Sequence, residues 1–79
     1  MINYNERIIS DFSIMLGKPV IKGTRITIEL ILRKLSEGAT ATDILEMYPK
    51  LQLMDVMACL QYAANMVAKE EIIELAKAS

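Results

Sequence analysis

Residues 27–60 read TIELILRKLSEGATATDILEMYPKLQLMDVMACL, and their spacing decides the fold. Ile28, Ile31, Leu32 and Leu35 recur at the i, i+3, i+4, i+7 spacing of one helix face. Thr27 stands ahead of them as an N-cap, and Glu29 lies in the first turn, where the helix dipole favours an anion. Gly38 follows as a residue suited to ending a helix. A first helix is therefore expected over about residues 28–37. Thr40-Ala41-Thr42-Asp43 resembles a capping box with Asp in place of Glu. Ile44, Leu45 and Tyr48 then form an apolar face, and Pro49 stops the helix because the residue before a proline avoids helical geometry. A second helix is expected over about residues 41–48, and a third from near Leu53.

The third helix carries two apolar stripes. Leu53, Val56, Met57, Leu60, Ala63, Ala64 and Val67 fall within a band roughly 120° wide at about 100° per residue. Cys59, Tyr62, Met66 and later Ile73 lie nearly opposite. Two stripes imply packing on both sides. The first is read as the core face. The second either packs on the chain's own N-terminal segment, through Ile8, Ile9, Val20 or Ile26, or makes Cys59, Tyr62, Met66 and Ile73 the dimerisation residues of a homodimer. After Ala68, Glu71 and Glu74 interrupt the first stripe. The helix leaves the core there, or a separate short helix begins.

Outward from this block, residues 1–27 read as extended. Arg7-Ile8-Ile9 and Val20-Ile21 are short strand candidates, punctuated by Gly17-Lys18-Pro19 and Lys22-Gly23-Thr24. Strands this short are marginal without another edge to pair with. The organisation is thus mainly α in a single domain. A β-arm over 1–27 precedes a three-helix core over 28–68 and a C-terminal helical extension over 69–79. Three short helices at this spacing suit a homeodomain-like, helix-turn-helix-like unit, and equally an economical core with no such role.

Composition narrows the function. A chain of 79 residues buries only about 60–65% of the surface its unfolded form exposes, so small domains often lean on staples or partners. Cys59 is the only cysteine and there is no histidine, which removes a disulfide and leaves no zinc ligand set. Hydrophobic residues make up 53% of the chain, and mean hydropathy is +0.30. Apolar surface of that extent favours self-association. No stretch approaches the length of a membrane span, and Met1–Ser10 is polar, so a cytoplasmic protein without membrane contact is expected. General acid–base catalysis most often uses histidine. Gly17-Lys18 lacks the hydroxyl residue and spacing of a phosphate loop, and Pro19 has no N–H to offer. Cys59, among apolar neighbours, reads as a small hydrophobe rather than a nucleophile. A non-enzyme without cofactor or metal is expected.

Charge is uneven. Arg7, Lys18, Lys22 and Arg25 against Glu6 and Asp11 give residues 1–27 a net +2, whereas Leu51 to Ala68 contain no basic residue. DNA affinity rests mainly on cations at phosphates. Gln61 and Asn65 have the chemistry to read adenine edges, but no cation accompanies them. DNA contact is expected to be weak for the chain alone, with Arg33, Lys34 and Lys50 as its possible contacts. Lys18, Lys22 and Arg25, on the segment stiffened by Gly17, Pro19 and Gly23, are the candidate protein-binding cations, Arg25 foremost because a guanidinium grips a carboxylate bidentately. The bland alternative is a solvated hairpin with an internally bonded Arg25.

GKPVIKGTRITIELILRKLSEGATATDILEMYPKL and the following DVMACLQYA closely resemble the prokaryotic domain-of-unknown-function family 433, over about residues 7–63. Gly17, Lys18, Pro19, Ile21, Gly23, Thr24, Arg25 and Ile26 match its G-K-P-x-I-x-G-T-R-I signature. Gly38, Ile44, Tyr48, Pro49, Leu51, Asp55, Ala58, Leu60, Tyr62 and Ala63 match its later pattern. Thr27 stands where proline is usual, and Gln52 and Met54 stand where Thr and Glu are usual, which weakens the expected cap of the third helix. The resemblance implies a homeodomain-like helical core behind a small β-arm. It also implies an antitoxin-type protein that neutralises a PIN-like nuclease toxin, with no catalytic residue to carry over. The alternative is a DNA-binding transcriptional regulator of helix-turn-helix type.

Overall fold

In the computed structural model, which describes residues 6–78 and the side chains of residues 6–69, the chain is mainly helical behind a two-stranded N-terminal hairpin. The two strand candidates pair with each other. Strand β1 (Ile8–Ile9) runs antiparallel to β2 (Val20–Ile21), with Ile8 opposite Ile21 and Ile9 opposite Val20. Between them Met15–Gly17 form a short 3-10 turn. After β2 the chain reverses at Ile21–Thr24. Gly23 sits third in that turn with φ of 81°, as a type II turn requires. The Thr24 hydroxyl donates to the Ile21 carbonyl at 2.8 Å and accepts from the Ile26 N–H at 3.0 Å, so the turn is tied from both sides.

Helix α1 spans Ile28–Ser36, and the Thr27 hydroxyl caps it by accepting from the Leu30 N–H at 3.1 Å. It ends in a Schellman motif. The Ala39 N–H bonds the Lys34 carbonyl at 3.0 Å and the Gly38 N–H bonds that of Leu35 at 3.1 Å, with Gly38 at φ 104°. Helix α2 (Ala41–Met47) opens on the expected capping box. Asp43 N–H donates to the Thr40 hydroxyl at 3.1 Å, and Thr40 N–H donates to the Asp43 carboxylate at 2.8 Å.

Helix α3 runs unbroken over Leu53–Ala78, so no separate short helix begins after Ala68. Its N-terminus keeps half a capping box despite Gln52: the Asp55 carboxylate accepts the Gln52 N–H at 2.8 Å. The other Asp55 oxygen accepts from Arg7 Nη1 at 2.9 Å. That ion pair ties the β-arm to α3 across 48 residues of sequence.

Ile21, Ile28, Ile31, Ile44, Leu51, Val56 and Cys59 form the core, with Ile8, Ile26, Leu32, Leu35 and Tyr62 packed around it. Two expectations for α3 change here. Of the stripe read as the core face, only Val56 is buried and Ala63 half-buried, while Leu53, Met57, Leu60, Ala64 and Val67 are exposed. Conversely Cys59, expected at a dimer interface, is fully buried in the chain's own core, and Tyr62 packs against that core. Cys59 is therefore not available to a dimer surface, while Tyr62 stays half-buried at the edge of a groove. The physical reason is size: small Ala58 and Cys59, both fully buried, let α3 approach its neighbours closely, which the Leu/Met face does not. Met66 remains 46% exposed because α3 has by then passed the core, and the side chain of Ile73 lies outside the described residues.

Candidate functional site

The rigid turn at Gly23–Thr24 holds Arg25 outward. Ile26 follows, half-buried, with its carbonyl accepting the Ile21 N–H at 3.0 Å, so the backbone on both sides of Arg25 is fixed. Arg25 is exposed, and among the described residues its side chain makes no hydrogen bond or ion pair. It lines an open cleft of about 420 Å³ with Ile14, Gly23, Thr24 and Lys50. Lys50 comes from the turn between α2 and α3, so two cations from distant segments share one cleft whose lining, among the described residues, contains no carboxylate. Uncompensated cations on a fixed backbone suit an anionic group, and the guanidinium favours a planar carboxylate or a phosphate.

The other expected cations are distributed differently. Lys18 lies 3.6 Å from Glu29, and Arg33 holds the same carboxylate through Nε at 3.3 Å and Nη2 at 3.1 Å. The Arg33 hydrogen bonds, followed by the charge of Lys18, hold Glu29 below the ordinary carboxylate pKa. Lys22 is exposed in the turn and Lys34 half-buried on α1. The partner-binding set Lys18, Lys22 and Arg25 is therefore divided, because Lys18 is compensated on α1 while Arg25 joins Lys50. The nucleic-acid set Arg33, Lys34 and Lys50 is divided for the same reason. On α3, Gln61 and Asn65 hydrogen-bond each other at 2.9 Å, which engages part of their base-reading capacity.

Sequence reading passed over the loop bordering this cleft. Phe12 is 78% exposed and Leu16 79%, with Met15 also exposed. Met15 and Leu16 adopt φ of 51° and 55°, the left-handed region that side chains avoid, followed by Gly17 at 84°. Asp11 steadies the loop by accepting from the Ser13 hydroxyl at 2.7 Å and its N–H at 2.9 Å, bonds that lower the Asp11 pKa. The loop thus displays large apolar side chains to solvent on a backbone that costs energy to hold. The available signal was that Phe12, Met15 and Leu16 fit neither strand nor helix periodicity. The Arg7–Asp55 pair had no local signal at all.

Cys59 is no part of a reactive site: burial, then the nearby Asp55 charge, push its thiol up to about 12. A groove between the arm, α1 and Tyr62 has Pro19, Ile28 and Leu32 in its lining and the Lys18–Glu29–Arg33 cluster beside them. Among the described residues no helix is long and apolar enough to cross a membrane. No curated protein and no solved structure matches the chain. Residues 8–63, more than two thirds of the sequence, match the family described as protein of unknown function (DUF433), and the chain belongs to that family.

Proposed function

We propose that this chain is a non-catalytic, antitoxin-type binding protein that occupies a PIN-like nuclease toxin. The observation carrying this reading is the Arg25–Lys50 cleft beside the apolar loop Phe12–Leu16. PIN-like nucleases hold metal with clustered carboxylates, so their active sites attract cations. Arg25 is pre-positioned and unspent, which lowers the ordering cost of binding. Phe12 and Leu16 supply the apolar contact that surrounds and dries such an anchor.

The test is calorimetric titration of wild type and Arg25→Ala against a PIN-like nuclease, beside melting curves of both. Affinity is expected to fall by about 2 kcal/mol, the usual scale for a truncated anchor, with an unchanged melting temperature. Unchanged affinity with a lowered melting temperature would retire the reading. The same two cations suit a phosphate, which keeps the DNA-binding regulator as a second reading. A gel shift by the chain alone, lost in Arg25→Ala, would favour that regulator instead. Metal-dependent RNA cleavage that tracks with the purified chain would overturn the non-catalytic assignment.

A further inference from the structure

The outward face of α3 has a regular spacing. Leu53, Met57, Leu60, Ala64 and Val67 follow one another at alternating steps of four and three, and all five are exposed. Leu53 is 55% and Val67 54% exposed. At about 100° per residue these positions fall within roughly 80°, on the side of α3 opposite Cys59 and Tyr62. A repeat of 3.5 residues is the spacing that keeps one seam turned toward a partner helix along its length. Between Leu51 and Ala68 the only charged residue is Asp55, which is buried and bonded to Arg7. The seam is therefore free of charge for roughly 22 Å of helix, at about 1.5 Å per residue. Ala64 to Lys69 are all exposed, so this stretch has no support from its own chain among the described residues.

The ends of the seam indicate the occupant. Lys50 stands exposed just ahead of α3, and the next positions of the repeat after Val67 are 71 and 74, both glutamates. We propose that α3 pairs with α3 of a second copy of this chain, antiparallel, with Met57 opposite Val67 and Leu60 opposite Ala64. In that register the acidic end of one α3, at Glu71 and Glu74, lies beside the N-terminal end of the other, where the helix dipole is positive and which Lys50 precedes, and Glu71 falls level with Leu53 at the rim of the seam. Leu60 meets the small Ala64, so large and small side chains alternate across the seam. A parallel pair would instead set Lys50 against Lys50 and Glu71 and Glu74 against their own counterparts. The antiparallel pair is twofold symmetric and closed, so it ends at two copies. The cleft reading above is tested at Arg25, which lies outside this seam, and no nuclease is needed here, so the two proposals fail separately.

Sedimentation equilibrium at micromolar concentration is expected to give the dimer mass for wild type and the monomer mass for Leu60→Glu, with helicity retained in circular dichroism. Orientation is read from cysteine cross-links. Met57→Cys chains mixed with Val67→Cys chains, exchanged and then oxidised, should link to each other, while Met57→Cys chains alone should not. Cys59, buried with its thiol near 12, stays out of this chemistry. A wild-type monomer across the micromolar range would overturn the proposal and leave the seam to an unlike partner. Ready self-linking of Met57→Cys without linking to Val67→Cys would overturn the antiparallel register.

Discussion

Leu16 holds φ of 55° while 79% of its surface faces solvent. A left-handed conformation costs a side-chain-bearing residue roughly 1–2 kcal/mol, and so exposed a side chain recovers little of this by packing. Glycine removes that cost, although it gives the unfolded chain more freedom, worth about 0.4–1 kcal/mol. Leu16→Gly is therefore expected to leave stability unchanged or raise it by up to about 1 kcal/mol in urea denaturation. A loss above about 1 kcal/mol would mean that Leu16 is structural. Arg25 is the complementary case at this scale. Its side chain is uncommitted among the described residues while its backbone is fixed, so its truncation should register in binding and not in folding.

At the scale of elements, an ion pair joins the β-arm to α3 alongside apolar contact. Asp55 is 7% exposed, caps α3 through the Gln52 N–H, and depends on Arg7 for its second oxygen. Arg7→Ala leaves that oxygen desolvated and without its cation. The Arg7 side chain is 28% exposed, so the cost falls below that of a fully buried pair, at about 1–3 kcal/mol. Urea denaturation should show this loss. A double-mutant cycle with Asp55→Asn should show a coupling above about 0.5 kcal/mol. Additive single effects would mean that the arm docks through Ile8 and Ile21 alone. The caps on α1 and α2 act within their own elements, which is why sequence located them: Thr27, Gly38 and the Thr40/Asp43 box each bond within a few residues.

For the whole molecule, nine buried apolar residues among the described ones are few for a chain that is 53% hydrophobic. The unburied remainder is concentrated on the outward face of α3 and on the Phe12–Leu16 loop. If α3 pairs as proposed, folding and association are coupled, and melting temperature should rise with protein concentration. The rise should vanish in Leu60→Glu. A wild-type melting temperature that stays constant over a hundredfold range of concentration would count against coupled assembly.

The first two helices, the start of the third, the hairpin strands and the family signature were legible in residue order, because each rests on periodicity or on caps and turns closed within a few residues; whether the third helix continues past Ala68 was not. The choice between the two stripes of α3 was not legible. Both are apolar at helical spacing, and periodicity reports that a face exists without saying what covers it. Only the packed chain decided it, by seating Ala58 and Cys59 against the core and turning Leu53, Met57 and Leu60 outward. The candidate site divided in the same way. Arg25 was visible because its turn residues are its neighbours in sequence. Its pairing with Lys50 and the bond from Arg7 to Asp55 join segments 25 and 48 residues apart, and such contacts leave no trace in local spacing.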